Sequence, residues 1–382
     1  VNSTMSGAAG PGANLTALRS HNAALVLRLL RDAGEDGVSR PELAGRTGLT
    51  PQAVSKITAR LRAEGLLAEA GQRASTGGKP PTALRLVPDA RHAIGLQLDR
   101  DEVTAVLVDL AGTPVAARSA PFDFGAPAEE ALAAATAEVR ALLADAAASG
   151  VAGGGVAVGG GVAVGGGLLG VGVAAPGPLD HGSGVLHRVT GFPQWDGFPL
   201  RDALAERLAL PVVLDKDTNA AALGLVTAGT AESAAYLHLG TGLGAGLVLG
   251  GDVYRGTRTD AGEFGHQVIQ LDGPPCDCGN NGCLEALCLA AVARGDRKDA
   301  ARLLGIGATN LVRLLDIDRV LLGGRMVLAD PVPYVRGVAT TIAEDSARAS
   351  RPPVSVDVVE RGERAVVEGA ARLVLAPLFA LG

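Results

Sequence analysis

The chain has 382 residues, 47% of them hydrophobic but 3% aromatic, so two or three domains are possible and their cores must be built from Ala, Val and Leu. Charge is divided unevenly: residues 14–88 carry eleven Lys/Arg against six Asp/Glu (+5), and the remainder carries 23 against 34 (−11). That split excludes nucleic-acid binding by the whole surface and leaves the first part as the segment fitted to meet it.

Residues 1–13 are small, polar and uncharged, and are expected to be disordered. From Asn14 a helical period runs through Leu18, Leu25, Leu29 and Leu30. Ser39-Arg40-Pro41-Glu42 is a capping box, with serine at the N-cap and glutamate three residues on. A short helix follows through Leu43 to Arg46, and Gly48 makes the turn. Thr50 caps the next helix, with Pro51 at its first position, and that helix runs to about Glu64. Val54, Ile57 and Leu61 are expected inside; Gln52, Ser55, Lys56 and Arg60 outside. A strand starts at Gly65-Leu66-Leu67, residues 71–81 form a basic Gly/Pro-rich hairpin with Arg73 and Lys79, and Leu84-Arg85-Leu86 returns. This order predicts a winged helix-turn-helix over 14–88. Its DNA contacts would be Gln52, Ser55, Lys56 and Arg60 on the recognition helix, with Arg73 and Lys79 on the wing. A three-helix bundle with a solvated basic face is the plainer alternative.

After Pro88 strands and helices alternate. Strands are predicted at 93–98 and 103–109 around a turn at Asp99-Arg100-Asp101, then an alanine-rich helix over 128–148. Residues 151–179 carry no charge, but eleven of the 25 residues in 151–175 are glycine, so a transmembrane helix is rejected. The repeat Val-Ala-Val-Gly-Gly-Gly at 156–161 and 162–167 predicts a low-complexity insertion over about 152–167, a mobile loop or an awkwardly extended strand end. A buried strand over 171–175 ends in Pro176-Gly177-Pro178, a helix covers 200–208 and a strand 212–214. Tyr236-Leu237-His238-Leu239 leads into the glycine turn 240–246, and Val320-Leu321-Leu322 ends in Gly323-Gly324. Glycine turns at strand ends mark an α/β body, and such ends are where ligands sit in these sheets.

Three of the four cysteines, Cys276, Cys278 and Cys283, fall within eight positions, ten residues after His266. Three thiolates and an imidazole complete a tetrahedral shell, so these four residues are predicted to hold a structural Zn2+ with no position open to water. The alternative is a disulfide, for which Cys276 and Cys278 lie too close to form a relaxed bridge. No secretory signal is read ahead of them, and a reducing, cytoplasmic setting is expected. Cys288 reads as a buried thiol in an apolar, helix-like run.

Leu214-Asp215-Lys216-Asp217-Thr218-Asn219-Ala220-Ala221-Ala222, the Gly-Thr-Gly-x-Gly turn, Gly262-Glu263-Phe264-Gly265-His266 and the Cys-x-Cys-Gly-x-x-Gly-Cys-Leu-Glu run stand in the order seen in the ROK family. With a winged helix-turn-helix in front, roughly residues 14–380 resemble its transcriptional regulators of the xylose-repressor and N-acetylglucosamine-repressor type. The resemblance implies a two-lobed actin-like ATPase (ribonuclease H-like) body over 89–382. It also implies a sugar held by Asp217, Glu263, His266 and Glu285, with Asp217 in the position of the kinases' base. The chemistry agrees, since carboxylates accept hydroxyl hydrogen bonds and one of them can take a proton. Taken alone, Asp217 would cap a turn or helix, and Glu285 would be a solvent-facing helix residue.

Three departures qualify the resemblance. Family kinases open with Asp-x-Gly-Gly-Thr, where glycines admit phosphate to backbone amides. Gln97-Leu98-Asp99-Arg100-Asp101 stands here, adding two carboxylates that would repel phosphate, so sugar kinase activity is expected to be negligible and no catalytic residue is assigned. Lys216 replaces the usual asparagine and is expected to select a phosphorylated or acidic ligand, to pair with Asp215 or Asp217, or to weaken sugar binding. The segment between Glu285 and Gly305 is short, which would open the back of the pocket or alter a dimer contact. The function expected is a homodimeric (or dimer-of-dimers) repressor of operator DNA, controlled by a sugar or sugar phosphate that shifts lobe closure and repositions the DNA-binding heads. An active kinase with an appended DNA-binding domain, or a ligand-blind DNA-binding protein, are the alternatives.

Overall fold

The computed structural model describes residues 15–72, 82–150, 157–158, 162–163, 167–227, 229 and 232–379. The predicted disordered residues 1–13, most of the predicted hairpin with Arg73 and Lys79, and most of the low-complexity insertion lie outside them. Two compact units are present, one ending at Pro88 and joined by residues 377–379, the other running over Asp89–Ala376.

The first unit comprises α1 (Leu15–Ala33), β1 (Val38–Ser39), α2 (Arg40–Thr47), α3 (Pro51–Ala63), β2 (Leu67–Gln72) and β3 (Thr82–Leu86). The capping box forms: Glu42 N donates to Ser39 Oγ at 3.4 Å, and Ser39 N donates to Glu42 Oε2 at 2.8 Å. Thr50 caps α3 by accepting from Ala53 N at 3.2 Å. The strands form an antiparallel sheet in the order β1-β3-β2. The short β1 was not foreseen, because two residues carry no periodicity. On α1 the buried stripe is Ala23, Val26, Leu27 and Leu30, while Leu25 and Leu29 are half-buried. Of the leucines in the predicted period Leu30 is buried, and Ala23, Val26 and Leu27 complete the i, i+3, i+4, i+7 face. Val54 and Leu61 are buried as expected, but Thr58 is buried with them, its hydroxyl donating to Val54 O at 2.9 Å, and Ile57 is half-buried. The Arg31 guanidinium lies over the Phe379 ring, 4.8 Å from its centroid.

The second unit has two lobes of one topology. Its first lobe holds β4 (His92–Leu98), β5 (Glu102–Asp109), β6 (Pro114–Pro121), α4 (Ala128–Ala148), the pair β7 (Ala157–Val158) and β8 (Val162–Ala163), β9 (Leu168–Ala175), the pair β10 (Leu179–Asp180) and β11 (Val185–Leu186), α5 (Leu200–Leu208) and β12 (Val212–Lys216). The large sheet runs β12-β9-β4-β5-β6, parallel from β12 to β4 and antiparallel from β4 to β6. Next come α6 (Asp217–Thr227), β13 (Ala234–Leu239), β14 (Leu243–Leu249), β15 (Asp252–Val253), α7 (Leu284–Ala293), α8 (Arg297–Leu315), β16 (Arg319–Gly323), α9 (Arg325–Ala329), α10 (Pro331–Arg348), β17 (Ser355–Val358) and α11 (Ala365–Leu375). The second sheet, β15-β14-β13-β16-β17, repeats the pattern of an antiparallel meander beside parallel strands.

Apolar alternation builds each core. Ile94, Leu96, Val171 and Val173 face Leu132, Val139 and Leu142 of α4 in the first lobe. Leu237, Val320 and Leu322 face Leu304, Ala308 and Val338 in the second. Helices α6 and α11 share a third apolar cluster that draws on strands of both lobes, including Ala174, Tyr236 and Leu321. They touch backbone to backbone: a Cβ on Gly369 would sit 1.9 Å from the Ala220 carbonyl oxygen, so the crossing admits glycine and nothing larger. No helix among the described residues is long and apolar enough to cross a membrane.

Candidate functional site

A cleft opens between the lobes of the second unit, at the C-terminal ends of β9, β12 and β13. Asp217, Glu263, His266 and Glu285 all line it, so the four residues implied for a sugar meet at one place although up to 68 positions separate them in the chain. Arg100, Thr190, His238 and Thr241 line it too; isolated polar residues in turns and at the end of β13 give no signal by spacing.

Asp217 begins α6, and its Oδ1 accepts from Thr218 N at 2.6 Å. Burial pushes its carboxyl above the ordinary carboxylate range, offset in part by the neighbouring His238 and the Thr218 amide. His238 Nδ1 lies 3.0 Å from the Tyr236 hydroxyl, whose own pKa burial raises. Glu285 is no solvent-facing helix residue: its Oε2 accepts from Leu243 N at 2.7 Å and pins the start of β14. Behind the cleft Phe264 and Leu284 are buried, and Gly307 of α8 lies against both. Helix α8 thus packs directly behind this wall of the cleft.

Lys216 pairs with neither aspartate side chain. Its Nζ donates to Ala261 O at 2.7 Å and to Glu263 Oε1 at 3.1 Å. The lysine is 3% exposed and lines the cleft, where its charge neutralises the Glu263 carboxylate on one wall. Asp215 has a separate partner. Buried to 1%, it accepts from Arg255 Nε at 2.7 Å, Asn219 Nδ2 at 2.9 Å and Lys216 N at 2.8 Å. These bonds hold the strand-to-helix turn that presents Lys216 and Asp217.

The Cys/His cluster is a second centre beside the cleft. One ligand atom from each of His266, Cys276, Cys278 and Cys283 lies within 4.8 Å of all the others. Cys278 Sγ and Cys283 Sγ are 3.7 Å apart, and Cys276 Sγ is 3.7 Å from His266 Nδ1. All four cysteines are free, so the disulfide alternative is set aside. Two thiolates on a tetrahedral zinc with bonds of about 2.3 Å would be about 3.8 Å apart, so both donor set and spacing fit that ion. Gly282 makes the wrap possible: its φ is 68°, and a Cβ there would lie 1.6 Å from the Gln270 carbonyl oxygen. Cys288 stands apart in α7, fully buried, its thiol pushed up to about 12 by burial.

Across the cleft from α6, the turn after β4 is fastened to the other lobe. Arg325, at the first position of α9, donates to Asp101 Oδ2 at 2.7 Å, again to Asp101 Oδ1, and to Asp99 Oδ2 at 3.1 Å. Its guanidinium holds the Asp101 carboxyl below its usual range. The two aspartates thus do not stand as bare charges. They are paired, and the pairing puts a guanidinium between the lobes beside the turn.

In the first unit Gln52, Ser55, Lys56 and Arg60 are all exposed on α3. Arg60 is loosely paired with Glu64 at 3.7 Å, and Lys56 and Arg60 line a shallow cavity with Asn22 of α1.

Residues 161–294 match the model of the ROK family. The xylose repressor of Caldicellulosiruptor bescii is 26% identical over 96% of this chain and 98% of its own length. A crystal structure of a ROK family transcriptional regulator, a homologue of the Escherichia coli Mlc protein, superposes with a TM-score of 0.75 over 95% of this chain and 97% of that one. At 22% identity it shares the fold. A ROK family glucokinase from Streptomyces griseus, solved with glucose and AMPPNP, gives a TM-score of 0.58 at 25% identity over 74% of this chain and 98% of that chain.

Proposed function

The chain carries a ROK family domain, and from that premise we propose that it is a DNA-binding transcriptional repressor whose operator affinity responds to a sugar or sugar phosphate in the cleft. The observation that carries the reading is the presence in one chain of a capped helix pair exposing Gln52, Ser55, Lys56 and Arg60 and a cleft lined by Asp217, Glu263, His266 and Glu285. The basic helix would enter the major groove, with Arg73 and Lys79 of the wing on phosphates. Two copies would read a palindromic operator as a homodimer. The cleft carboxylates would accept sugar hydroxyls, and zinc on His266, Cys276, Cys278 and Cys283 would fix the wall between Glu263 and Glu285.

Phosphoryl transfer is not part of the proposal. The Gln97–Asp101 turn lacks the glycines of the family kinases and its Asp99 and Asp101 are paired with Arg325, and the regulator-type relative is matched over nearly its whole length, which supports this reading.

Selection of bound fragments from a genomic library, with and without candidate sugars, tests the reading; fragments whose recovery is indifferent to every sugar and sugar phosphate would leave the ligand-blind alternative. On the selected operator, Lys56→Ala with Arg60→Ala should weaken binding about tenfold or more near physiological salt and flatten the log K against log salt slope by about 2. An unchanged slope would show that these residues do not meet phosphate. Asp217→Asn separates ligand binding from folding. A carboxyl whose folded pKa is raised stabilises the fold below the ordinary carboxylate range and loses that contribution as pH rises through its folded pKa. At neutral pH the neutral amide should therefore raise the melting temperature, while losing a charged hydrogen bond should weaken sugar binding roughly tenfold to a hundredfold. Calorimetry showing wild-type sugar affinity would remove Asp217 from the site.

A further inference from the structure

Of the three charged residues in the turn after β4, two are held by Arg325: Asp99 and Asp101. The third, Arg100, is half-buried and lines the cleft. Its guanidinium lies over the Phe192 ring, with Cζ 5.5 Å from the centroid. It also reaches the opposite lobe: a Cβ on Gly242, in the turn between β13 and β14, would lie 3.7 Å from its Nη2. Glu285 Oε2 stands on the other flank of Gly242, 3.1 Å from the same point, and is committed to Leu243 N. Among the described residues no carboxylate pairs with Arg100, whose backbone N–H alone is bonded to Asp99.

The cleft's other cation is different, since Lys216 already stands on Glu263. Burial also draws the Asp217 carboxyl towards its neutral form. Arg100 is thus a guanidinium partly withdrawn from water, backed by an aromatic face, with its side-chain N–H groups unclaimed. Such a fork suits the oxygens of a phosphate, to which it donates in pairs. A free sugar matches the carboxylates of the cleft but brings no charge to Arg100; a phosphate ester of the same sugar supplies it. We infer that Arg100 is the specificity-determining residue of the cleft, selecting a sugar that carries a phosphate monoester over the free sugar. The inference rests on the sugar-cleft reading above and narrows it. Asp217, Glu263 and Glu285 take ring hydroxyls, and Arg100 takes the phosphate on the side of the β13–β14 turn.

The full chain is titrated by calorimetry with glucose, mannose, xylose and N-acetylglucosamine, with a phosphate monoester of each, and with glucuronate and inorganic phosphate. At least one ester is expected to bind about tenfold to a hundredfold tighter than its parent sugar near neutral pH. That preference should shrink as pH falls through about 6, where the ester takes up its second proton. Arg100→Gln should cost the ester about tenfold or more and the parent sugar less, so that the ratio of the two affinities falls towards one. Arg100→Lys keeps the charge but not the fork; it should give an intermediate ratio, and it serves if the first variant does not fold. A parent sugar that binds as tightly as its ester overturns the inference while sugar sensing stands. So does an ester preference that survives in the folded variants, or glucuronate or inorganic phosphate binding as tightly as the esters. Saturable binding by none of the sugars or esters would overturn both readings.

Discussion

Stripping the metal with a chelator is expected to lower the melting temperature by about 5 °C or more and to abolish sugar binding, with recovery on adding back one equivalent of zinc. Structural zinc is worth on the order of 10 kcal/mol in small metal-organised domains, where binding and folding are one event. Here the surrounding core supplies part of the order, so a loss of roughly 3–5 kcal/mol is the expectation. Without an ion, two buried thiols, an exposed thiol and an imidazole are left packed within 4.8 Å of one another. The backbone from 264 to 284, which positions both Glu263 and Glu285, then has little to hold its path. Cys283→Ser should behave like the stripped protein, since Cys283 is fully buried and sits directly before α7. Metal analysis of the purified chain finding no zinc, together with a melting curve indifferent to chelator, would sink this account.

Arg255→Ala should be nearly as damaging, by about 3–5 kcal/mol, because it strands the buried Asp215 carboxylate without its cation. Asp215 would keep the Asn219 amide and the Lys216 N–H, which do not neutralise it. Relief by relaxation would move the turn that carries Asp217, so ligand affinity should fall together with stability. A double-mutant cycle with Asp215→Asn decides the mechanism: the double variant should be less destabilised than Arg255→Ala alone. If the two single effects simply add, the pair is not the cause.

Much of this was legible in the chain, and what was not has a common reason. Caps at Ser39 and Thr50, the helices at 128–148 and 200–208, and the Cys/His grouping are local features whose signals lie within a few residues of their effect. The edge strand Pro114–Pro121 escaped notice because it is bounded by prolines and its alternation is between half-buried and exposed small residues. The start of β9 at Leu168 was hidden by the glycine repeat before it. Pairing with an adjacent aspartate was one of three expectations for Lys216, which instead meets Glu263, 47 positions on; Arg325 follows a visible glycine pair but finds Asp101, 224 positions back. Partners chosen by the folded topology leave no mark in local spacing.

The pairing of Arg325 with Asp99 and Asp101 has a kinematic consequence. The lobes are already in contact where α6 and α11 cross at Gly369, a seam too tight to slide. While the arginine holds, the lobes are joined at a second point across the cleft. Two bodies fixed at two points keep one freedom, rotation about the line through both. A ligand in the sugar cleft, lying off that line, would act on the lobes as a lever of fixed axis, and its binding would be read out as a change in a single angle.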